Sequence, residues 1–468
     1  MSKASIWKRA AAALLAAACI LTAFPDGVRA EDYWPEGPKI DCPNAAVIEV
    51  NTGTVLYKKK GGKVRYPASI TKIMTTLLAI ENCGMDEIVT FSEDAVNKNE
   101  GDTSHIARDY QEEMTMEQCL YAVMLESANE CAYAVAEHVG EKLGGDYSTF
   151  IELMNSRAKE LGCKNTHFNN CNGLPDEDHW TSAYDMALIA AEAYRNETFR
   201  IITGTGSYTI PPTNKHRDPT YCHNHHKMIY PWQGDSRFLW DNCTGGKTGY
   251  TNAANNTLVT FAEKDGLSLV CVVMYAQTPS HYTDSRALLD YCFDNFQALN
   301  IAANERSLVN ENLKNAGVMN DNEAFVTLDE DAYIVMPRAL EFSDATFELD
   351  EVRDGGSTLA QLKYTYAKRI VGTAEIVTTG AKVPETYFEA LEDQPPEENP
   401  RVIVIQPMLI LLALVLVAFV VALVYSAKRL YDNYYWIRHR MEVRKEQKER
   451  FRIKNTKKRY RKKDRMFR

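Results

Sequence analysis

The chain has 468 residues, a length that excludes one ordinary domain and allows two or three. Hydrophobic residues make up 45% and charged residues 25%, an ordinary globular composition that can bury a sizeable core. The formal net charge of −10 is unevenly distributed, because residues 428–468 hold 18 Lys and Arg against five Asp and Glu. This tail carries +13 and the remainder −23, so we expect the two parts to face different environments.

The first thirty residues have the pattern of a secretory signal. A positive segment, MSKASIWKRA, precedes an apolar run over residues 10–24, and the triplet VRA ends at the small residue Ala30. This order of segments predicts a signal peptide over residues 1–30 that is cleaved after Ala30. An uncleaved N-terminal membrane anchor is the alternative.

Helix and strand patterns alternate between the predicted signal and residue 304. AAVIEVNTGTVLYKKK indicates two strands with a turn at residues 51–53, and LVTFAEKDGLSLVCVVMYA indicates two more with a turn at residues 264–266. The helices predicted from apolar residues at helical spacing cover residues 67–81, 115–139, 150–161, 183–194 and 284–296. This alternation predicts an α+β catalytic domain over residues 31–304.

The remainder of the chain divides into four predicted segments. Short alternating stretches such as AFVTLD and AYIVMP predict a small all-β domain over residues 305–383. An acidic, proline-rich linker follows at residues 384–401. An uncharged apolar run then predicts a transmembrane helix over residues 402–425, with a buried core helix as the alternative. Residues 426–468 would form a basic cytoplasmic tail.

Eleven cysteines are present, and ten of them follow the predicted signal. Export would permit disulfides. Cys163 and Cys171 flank a short loop, whereas Cys222 and Cys243 lie farther apart, and either pair could bridge. The sequence contains no C-x-x-C pair, so it does not indicate a structural zinc site of that kind.

Three histidines, His223, His225 and His226, lie close together in the sequence. Imidazole groups at such short spacing are candidate zinc ligands. No carboxylate or cysteine spacing completes a familiar metal-binding pattern around them. The competing interpretation is a polar strand and loop at the rim of an active site.

Three short motifs follow one another along the chain. Each occurs by chance in many proteins, but their order, at a predicted helix start, in a helical segment and on a strand, is informative. The three motifs are Ser69-Ile-Thr-Lys72, Ser127-Ala-Asn129 and Lys247-Thr248-Gly249. Their order resembles S-x-x-K, S-D-N and K-T-G, the signature of penicillin-binding proteins and β-lactamases, with S-A-N in second place here.

The first motif can supply a nucleophile and its base. A serine hydroxyl reacts poorly until a base takes its proton. Residues three apart on a helix share a face, so Lys72 can reach the Ser69 oxygen. A lysine has an ordinary pKa of about 10.4, but burial and a nearby cation would lower it, and Lys247 is the candidate for that cation.

The second motif can move the proton onward and hold the substrate. Ser127 can pass a proton from Lys72 to the leaving amine. Asn129 carries both donor and acceptor groups, so it can bind a substrate amide and the lysine together.

The third motif can bind the end of the substrate from a strand edge. Lys247 and Thr248 can bind a carboxylate by charge and hydroxyl. Gly249 permits a close approach of the substrate backbone. The backbone N–H groups of Ser69 and Tyr250 are the candidates for an oxyanion hole.

On these motifs the chain resembles the serine-type D-alanyl-D-alanine carboxypeptidases, the low-molecular-weight penicillin-binding proteins. Further similar stretches are KELGCKNTHFNNCNGLPDEDHWTSAYDMALIA, PPTNKHRDPTY and GGKTGYTNAANNTLV. The likeness is strong over residues 40–300 and looser over residues 305–390. It implies a penicillin-recognising serine transferase fold, similar to that of β-lactamases, with helices on a five-stranded antiparallel sheet and a β-rich domain after it.

The resemblance also implies the chemistry. Ser69 matches the acyl-ester serine, Lys72 its proton acceptor, Ser127 the second catalytic serine and Lys247 the substrate-binding lysine. The substrate would be a peptidoglycan stem pentapeptide that ends in D-Ala-D-Ala, and penicillins would be covalent inhibitors. The family needs no cofactor or metal, and no nucleic-acid partner is expected.

Two other functions compete with this interpretation. A β-lactamase on the same fold would need a base that activates water, which class A enzymes carry in an E-x-x-x-N element, and we expect no element of that kind between Ser127 and Lys247. An inactive wall-binding or sensor protein would not need the intact motifs. The chain also departs from family members that end in an amphipathic helix on the membrane, because it is predicted to span the membrane with its catalytic domain outside the cell.

Overall fold

The computed structural model describes residues 33–98, 103–304, 326–351, 358–378, 422, 425, 427–429, 431, 434–450 and 452. These residues fall into two compact units, divided after Lys382. The predicted signal at 1–30 and the linker at 384–401 lie outside the described residues, as does most of the predicted membrane helix at 402–425. Within the described ranges, no helix is both long enough and apolar enough to cross a membrane.

Strands and helices are mixed in the part of the first unit before residue 304, as the patterns predict. The strands are β1 Asn44–Glu49, β2 Val55–Lys59, β3 Ile88–Thr90, β4 Glu113–Thr115, β5 Ser207–Ile210, β6 Thr220–His223, β7 Cys243–Thr251, β8 Asn255–Lys264, β9 Leu267–Ala276, β10 Phe296–Asn300, β11 Val326–Leu328, β12 Tyr333–Pro337, β13 Thr346–Glu351, β14 Thr358–Tyr366 and β15 Arg369–Thr378. The α-helices are α1 Lys72–Asn82, α2 Glu93–Asn97, α3 Met116–Tyr121, α4 Asn129–Lys142, α5 Tyr147–Glu160, α6 Ala183–Arg195, α7 Glu197–Gly204 and α8 Ser280–Asn295.

The central sheet has five antiparallel strands in the order β2-β1-β9-β8-β7. Both predicted hairpins, with turns at residues 51–53 and 264–266, are present. Their turns carry glycines with positive φ, Gly53 at 68° and Gly266 at 78°, a conformation that costs glycine little.

Both faces of the sheet are buried, which explains why its strands are apolar at successive positions. Side chains alternate between the two faces of a strand. On β1, Ala46 and Ile48 belong to one hydrophobic cluster, which includes residues of α1, α4, α5 and α6. Ala45 and Val47 belong to a second cluster on the other face, against α8. Helix–sheet–helix layering therefore forms the core.

The helix predicted over residues 115–139 is not continuous, and that prediction is wrong. Helix α3 passes into a π-helical turn, Ala122–Glu126, and Ser127 then adopts a left-handed conformation at φ 60° and ψ 30° before α4 begins. The backbone N–H of Asn129 donates to the carbonyl of Ser104 at 2.9 Å, a partner outside the helix. The break places Ser127 between two helical segments and Asn129 at the first position of α4.

The C-terminal strands form two further small sheets. Strand β10 pairs with β12, and the other sheet has the order β11-β15-β14-β13. Tyr333 Oη donates to Glu49 Oε1 at 2.6 Å and so joins this part to the β1–β2 turn. Because β10 begins at Phe296 and pairs with β12, the sheets begin before residue 305, and the domain boundary at that residue stays a prediction.

All ten cysteines in the described part of the chain are free thiols. Cys171 and Cys222 are buried, while Cys163 and Cys243 are partly buried. Neither the Cys163–Cys171 pair nor the Cys222–Cys243 pair forms a bridge. Cys163 Sγ lies 3.6 Å from the Asp185 carbonyl, Cys171 Sγ lies 3.7 Å from Tyr147 Oη, and Cys243 Sγ lies 3.6 Å from the Gly245 carbonyl.

Candidate active site

The first motif lies where a short 3₁₀ turn, Ala68–Thr71, leads into α1. Lys72 Nζ lies 3.1 Å from Ser69 Oγ. The same amine donates to Asn129 Oδ1 and to the Asn172 carbonyl, each at 2.7 Å. The amine therefore has three oxygen neighbours, two of which can only accept a hydrogen bond.

The electrostatic surroundings of Lys72 favour its neutral form. The side chain is completely buried, and this burial holds the pKa of Lys72 well below its ordinary value, with the charge of Lys247 lowering it further. Lys247 is buried as well, which lowers the pKa of its own amine to about 7, while the Glu126 carboxylate acts in the opposite direction.

The Ser69 turn is held tightly between two glycines. Ala68 has a φ of 54°, a strained value for a residue with a side chain. On one side, a Cβ on Gly173 would lie 1.9 Å from the Ala68 carbonyl oxygen. On the other side, a Cβ on Gly249 would lie 2.9 Å from the Ser69 nitrogen and 2.4 Å from Thr257 Oγ1. Both close approaches are possible only because glycine has no side chain.

The second motif faces the same site. Ser127 is 4% exposed, and its Oγ has no hydrogen-bond partner among the residues that the structure describes. A buried hydroxyl without a partner is costly, and such groups occur at sites where a ligand supplies the partner. Its left-handed backbone is a second sign of strain at this point.

All the residues predicted for the site come together at one cleft of about 790 Å³. Lys72 and Lys247 are buried beneath its floor. The predicted residues that line the cleft are Ser69, Ser127, Asn129, Thr248, Gly249 and Tyr250. The Tyr250 side chain is 62% exposed, and its backbone N–H is the group predicted for the oxyanion hole.

The structure adds residues that motif reasoning missed. Asn172 supplies a carbonyl to Lys72, and Gly173 packs against the Ser69 turn. Behind them, His179 Nε2 lies 2.9 Å from Thr71 Oγ1, and burial lowers the pKa of this histidine to about 3, so it is neutral. The Asn-Gly dipeptide in NNCNGLP signals a turn, but it gives no indication that this turn contacts a lysine 100 residues away.

The three adjacent histidines have separate partners. His225 Nε2 lies 3.0 Å from Glu126 Oε2, and His226 Nε2 lies 3.0 Å from Thr260 Oγ1. His223 lies at the end of β6, and its ring stacks with that of Tyr230. The arrangement fits a polar strand and loop at the rim of the cleft rather than a shared zinc ion.

We predict that Gly173→Ala slows the reaction of Ser69 with a fluorescent penicillin by about 100-fold, because a displacement of roughly 1 Å at a reacting group has that effect. The added Cβ would collide with the Ala68 carbonyl. Gly162→Ala is the matched control, since Gly162 has a similar φ of 82° but open space around its Cβ. An equal loss of acylation rate in both variants would show that the rate responds to backbone strain at a glycine and not to the position of Ser69.

We predict that Lys247→Met moves the acidic limb of the pH–rate profile for penicillin acylation to higher pH, by roughly one unit or more. The neutral Lys72 amine is the active form, so the rate rises as pH rises through its pKa. Lys247 is charged below about pH 7 and lowers the pKa of Lys72, so removing this charge raises that pKa. Stopped-flow acylation rates give the midpoint, and an unchanged or lower midpoint would contradict the coupling.

Comparisons with known proteins identify the family of the chain. The peptidase S11 family model, described as D-alanyl-D-alanine carboxypeptidase, matches residues 32–278. D-alanyl-D-alanine carboxypeptidase DacF of Bacillus subtilis is 34% identical over 303 residues, 62% of this chain and 72% of the relative. DacA of Escherichia coli is 28% identical over 348 residues, 72% of this chain and 81% of the relative.

Solved structures show the same fold. The Streptomyces K15 DD-transpeptidase is 28% identical, with a TM-score of 0.50 over 56% of this chain and 100% of that one. Penicillin binding protein 5 of Haemophilus influenzae is 23% identical, with a TM-score of 0.56 over 74% of this chain and 98% of that one, and supports the fold alone. The protein has the mixed α/β fold of penicillin-binding proteins, and it belongs to the D-alanyl-D-alanine carboxypeptidase family.

Proposed function

We propose that this serine carboxypeptidase removes the terminal D-alanine from peptidoglycan stem peptides through an acyl-enzyme at Ser69. One observation carries the assignment of the nucleophile. Lys72 Nζ lies 3.1 Å from Ser69 Oγ, and its other two neighbours are oxygens that only accept hydrogen bonds. A neutral amine has two N–H donors and one lone pair, so the two acceptors occupy the donors and leave the lone pair for the Ser69 hydroxyl.

The acylation step then follows from the geometry. Lys72 takes the proton of Ser69 as the oxygen attacks the carbonyl of the scissile peptide. The backbone N–H groups of Ser69 and Tyr250 would stabilise the oxyanion, which they can do because they are fixed before the reaction starts. The close fit of Gly173 and Gly249 around the turn keeps the Ser69 N–H in place.

Proton delivery to the leaving group would use Ser127. Its unpartnered Oγ in the cleft is free to take a proton from the protonated Lys72 and give one to the amine of the departing D-alanine. Asn129 keeps Lys72 in position, because its Oδ1 accepts a hydrogen bond from Lys72 Nζ. Water then hydrolyses the ester, with Lys72 again as the base.

Recognition of the terminal carboxylate would fall to the third motif. Thr248 lines the cleft, and the buried amine of Lys247 donates to its carbonyl at 3.1 Å. A cation beneath the floor attracts an anion without blocking the cleft. Penicillins carry a carboxylate and a reactive amide, so they would enter the same site and acylate Ser69 as covalent inhibitors.

A β-lactamase on the same fold is the weaker candidate. The chain contains an E-x-x-x-N spacing at Glu192–Asn196, but Glu192 pairs with Arg157 at 2.7 Å and Arg195 at 2.6 Å and does not line the cleft. Asn196 caps α7 by accepting from the Phe199 N–H. Neither residue is placed to activate water at Ser69.

The test is the product formed from a defined pentapeptide that ends in D-Ala-D-Ala. Mass spectrometry should show the loss of one alanine. Ser69→Ala should reduce the rate of this cleavage by roughly 10⁴-fold or more and abolish penicillin labelling. Ser104→Ala is the control, because Ser104 lines the same cleft without touching Lys72. A Ser69→Ala protein that still forms the covalent adduct would refute the assignment.

We also propose that the catalytic part lies outside the cell, that residues 402–425 anchor it in the membrane, and that the basic tail lies in the cytoplasm. The +13 charge of residues 428–468 supports this, because Lys and Arg beside a membrane helix are retained inside. Residues 434–450 are helical, and Tyr434, Tyr435 and Trp436 are exposed. Aromatic residues followed by basic ones suit a lipid–water interface with anionic headgroups.

Protease added to wall-stripped cells tests this topology. The catalytic domain should be digested, while an epitope at the C-terminus should survive because the membrane protects it. A cytoplasmic protein serves as the control for intact membranes. Loss of the epitope while that control survives would show that the orientation is the opposite one or that residues 402–425 do not anchor the chain.

A further inference from the structure

We propose that Cys83, Glu87 and His138 form a zinc-binding site remote from the cleft. One ligand atom from each residue, a sulfur, an oxygen and a nitrogen, lies within 4.8 Å of the other two. None of the three residues lines the cleft. The site therefore lies outside the catalytic machinery.

The ligand set and its geometry suit zinc. Zn²⁺ is bound by Cys sulfur, His nitrogen and Glu oxygen with bonds of about 2.0–2.3 Å, commonly with water as a fourth ligand. In a tetrahedron of such bonds the ligand atoms lie roughly 3.3–3.7 Å apart. His138 Nε2 and Glu87 Oε2 are already 3.0 Å apart, so adjustments of roughly an ångström or less complete the site. Thiolate and imidazole ligands favour zinc over calcium or magnesium.

Glu87 is oriented before any ion binds. Its Oε1 accepts a hydrogen bond from the Gly84 N–H at 2.6 Å, which leaves Oε2 directed toward His138. Such hydrogen bonds to the second oxygen of a ligand fix its direction. When zinc binds, the Cys83 thiol releases its proton to solvent, and the His138 Nε2 is freed for the metal by a shift of its proton to Nδ1.

Lys142 is the group that competes with the ion. Its amine is bound to Glu87 Oε1. The Lys142 side chain is 43% exposed, so it can turn into water at little cost, as surface ion pairs are weak. Removing this cation should therefore tighten zinc binding rather than weaken it.

The proposed zinc site lies at the far ends of the two helices that carry Lys72 and Asn129. Cys83 follows the last residue of α1, and His138 lies near the end of α4. These two helices begin with Lys72 and Asn129, whose side chains are hydrogen-bonded at the other end. Zinc would join the two helices about 16 Å from this hydrogen bond, a distance set by the 11-residue length of α1. It would thereby hold in place the two helices that position the Lys72 amine.

The test uses the full chain without a histidine tag, kept reduced. Cobalt(II) is the probe, because a thiolate bound to it gives a charge-transfer absorption in the near ultraviolet. We expect this band in the wild type with one equivalent of Co²⁺, and its loss in Cys83→Ser and His138→Gln. Added Zn²⁺ should abolish the band and raise the melting temperature by roughly 5–10 °C at a hundredfold excess over Kd.

Matched controls separate this site from other metal-binding groups. Cys163→Ser removes a partly buried thiol at a different place in the fold and should keep the band. His216→Gln removes a member of the cluster Asp109, Glu112 and His216, and should also keep it. Lys142→Gln should bind Zn²⁺ more tightly than the wild type. Penicillin labelling confirms that each variant is folded.

Two results would overturn the proposal. The first is a wild-type protein that labels with penicillin but shows no thiolate–cobalt band at any stoichiometric addition. The second is a band that survives both Cys83→Ser and His138→Gln, or that is lost in Cys163→Ser. In either case Cys83, Glu87 and His138 form a hydrogen-bonded cluster only.

Discussion

The buried amine of Lys72 is the constraint on which the rest of the site depends. A lysine in the protein interior is stable only if its charge is removed or compensated. Here the direct neighbours of Nζ are neutral oxygens from Ser69, Asn129 and Asn172 rather than carboxylates. The surroundings solvate an amine but do not pair a cation, so burial converts an ordinary lysine into a base.

Each of these three oxygens comes from a different part of the fold. Ser69 is placed by the 3₁₀ turn before α1, Asn129 by the break that ends the π-helical turn, and Asn172 by an irregular loop. The central sheet brings β7 alongside, with Lys247 in register with Val259 of β8. The strained residues Ala68 and Ser127 both lie next to this cluster.

Strain at these positions is consistent with their role. A left-handed non-glycine residue costs of the order of 1–3 kcal/mol and persists only where the surrounding structure enforces it. The surroundings of Ala68 are Gly173 and Gly249, and those of Ser127 include the hydrogen bond of Asn129 to Ser104. The large two-sided core of the first unit supplies the stability that this strain removes.

The sequence predicts local structure well where local signals exist. The prediction of hairpins with turns at residues 51–53 and 264–266 is confirmed, because a glycine with positive φ closes each turn. The three motifs also identify the residues that meet at the cleft. The break at Ser127 could not be predicted, since CLYAVMLESANECAYAVAEHV contains neither glycine nor proline and keeps an apolar helical pattern. Tertiary contacts create this break.

Long-range contacts are the other part that the sequence does not reveal. Asn172 contacts Lys72 through its backbone carbonyl, a group that every residue carries, so its identity gives no signal. Neither candidate disulfide forms, because spacing along the chain does not place two thiols in contact. The pairing of β10 with β12 likewise depends on contacts between distant segments.

The most direct test of the neutral base is the titration of Lys72 itself. In a protein with ¹³C-labelled lysine side chains, the Lys72 signal can be assigned as the one that Lys72→Arg removes. If the buried amine is the base, this signal titrates well below the exposed lysines and reports a largely neutral side chain at neutral pH. A Lys72 signal that titrates together with the other lysines, near a pKa of about 10.4, would contradict the mechanism.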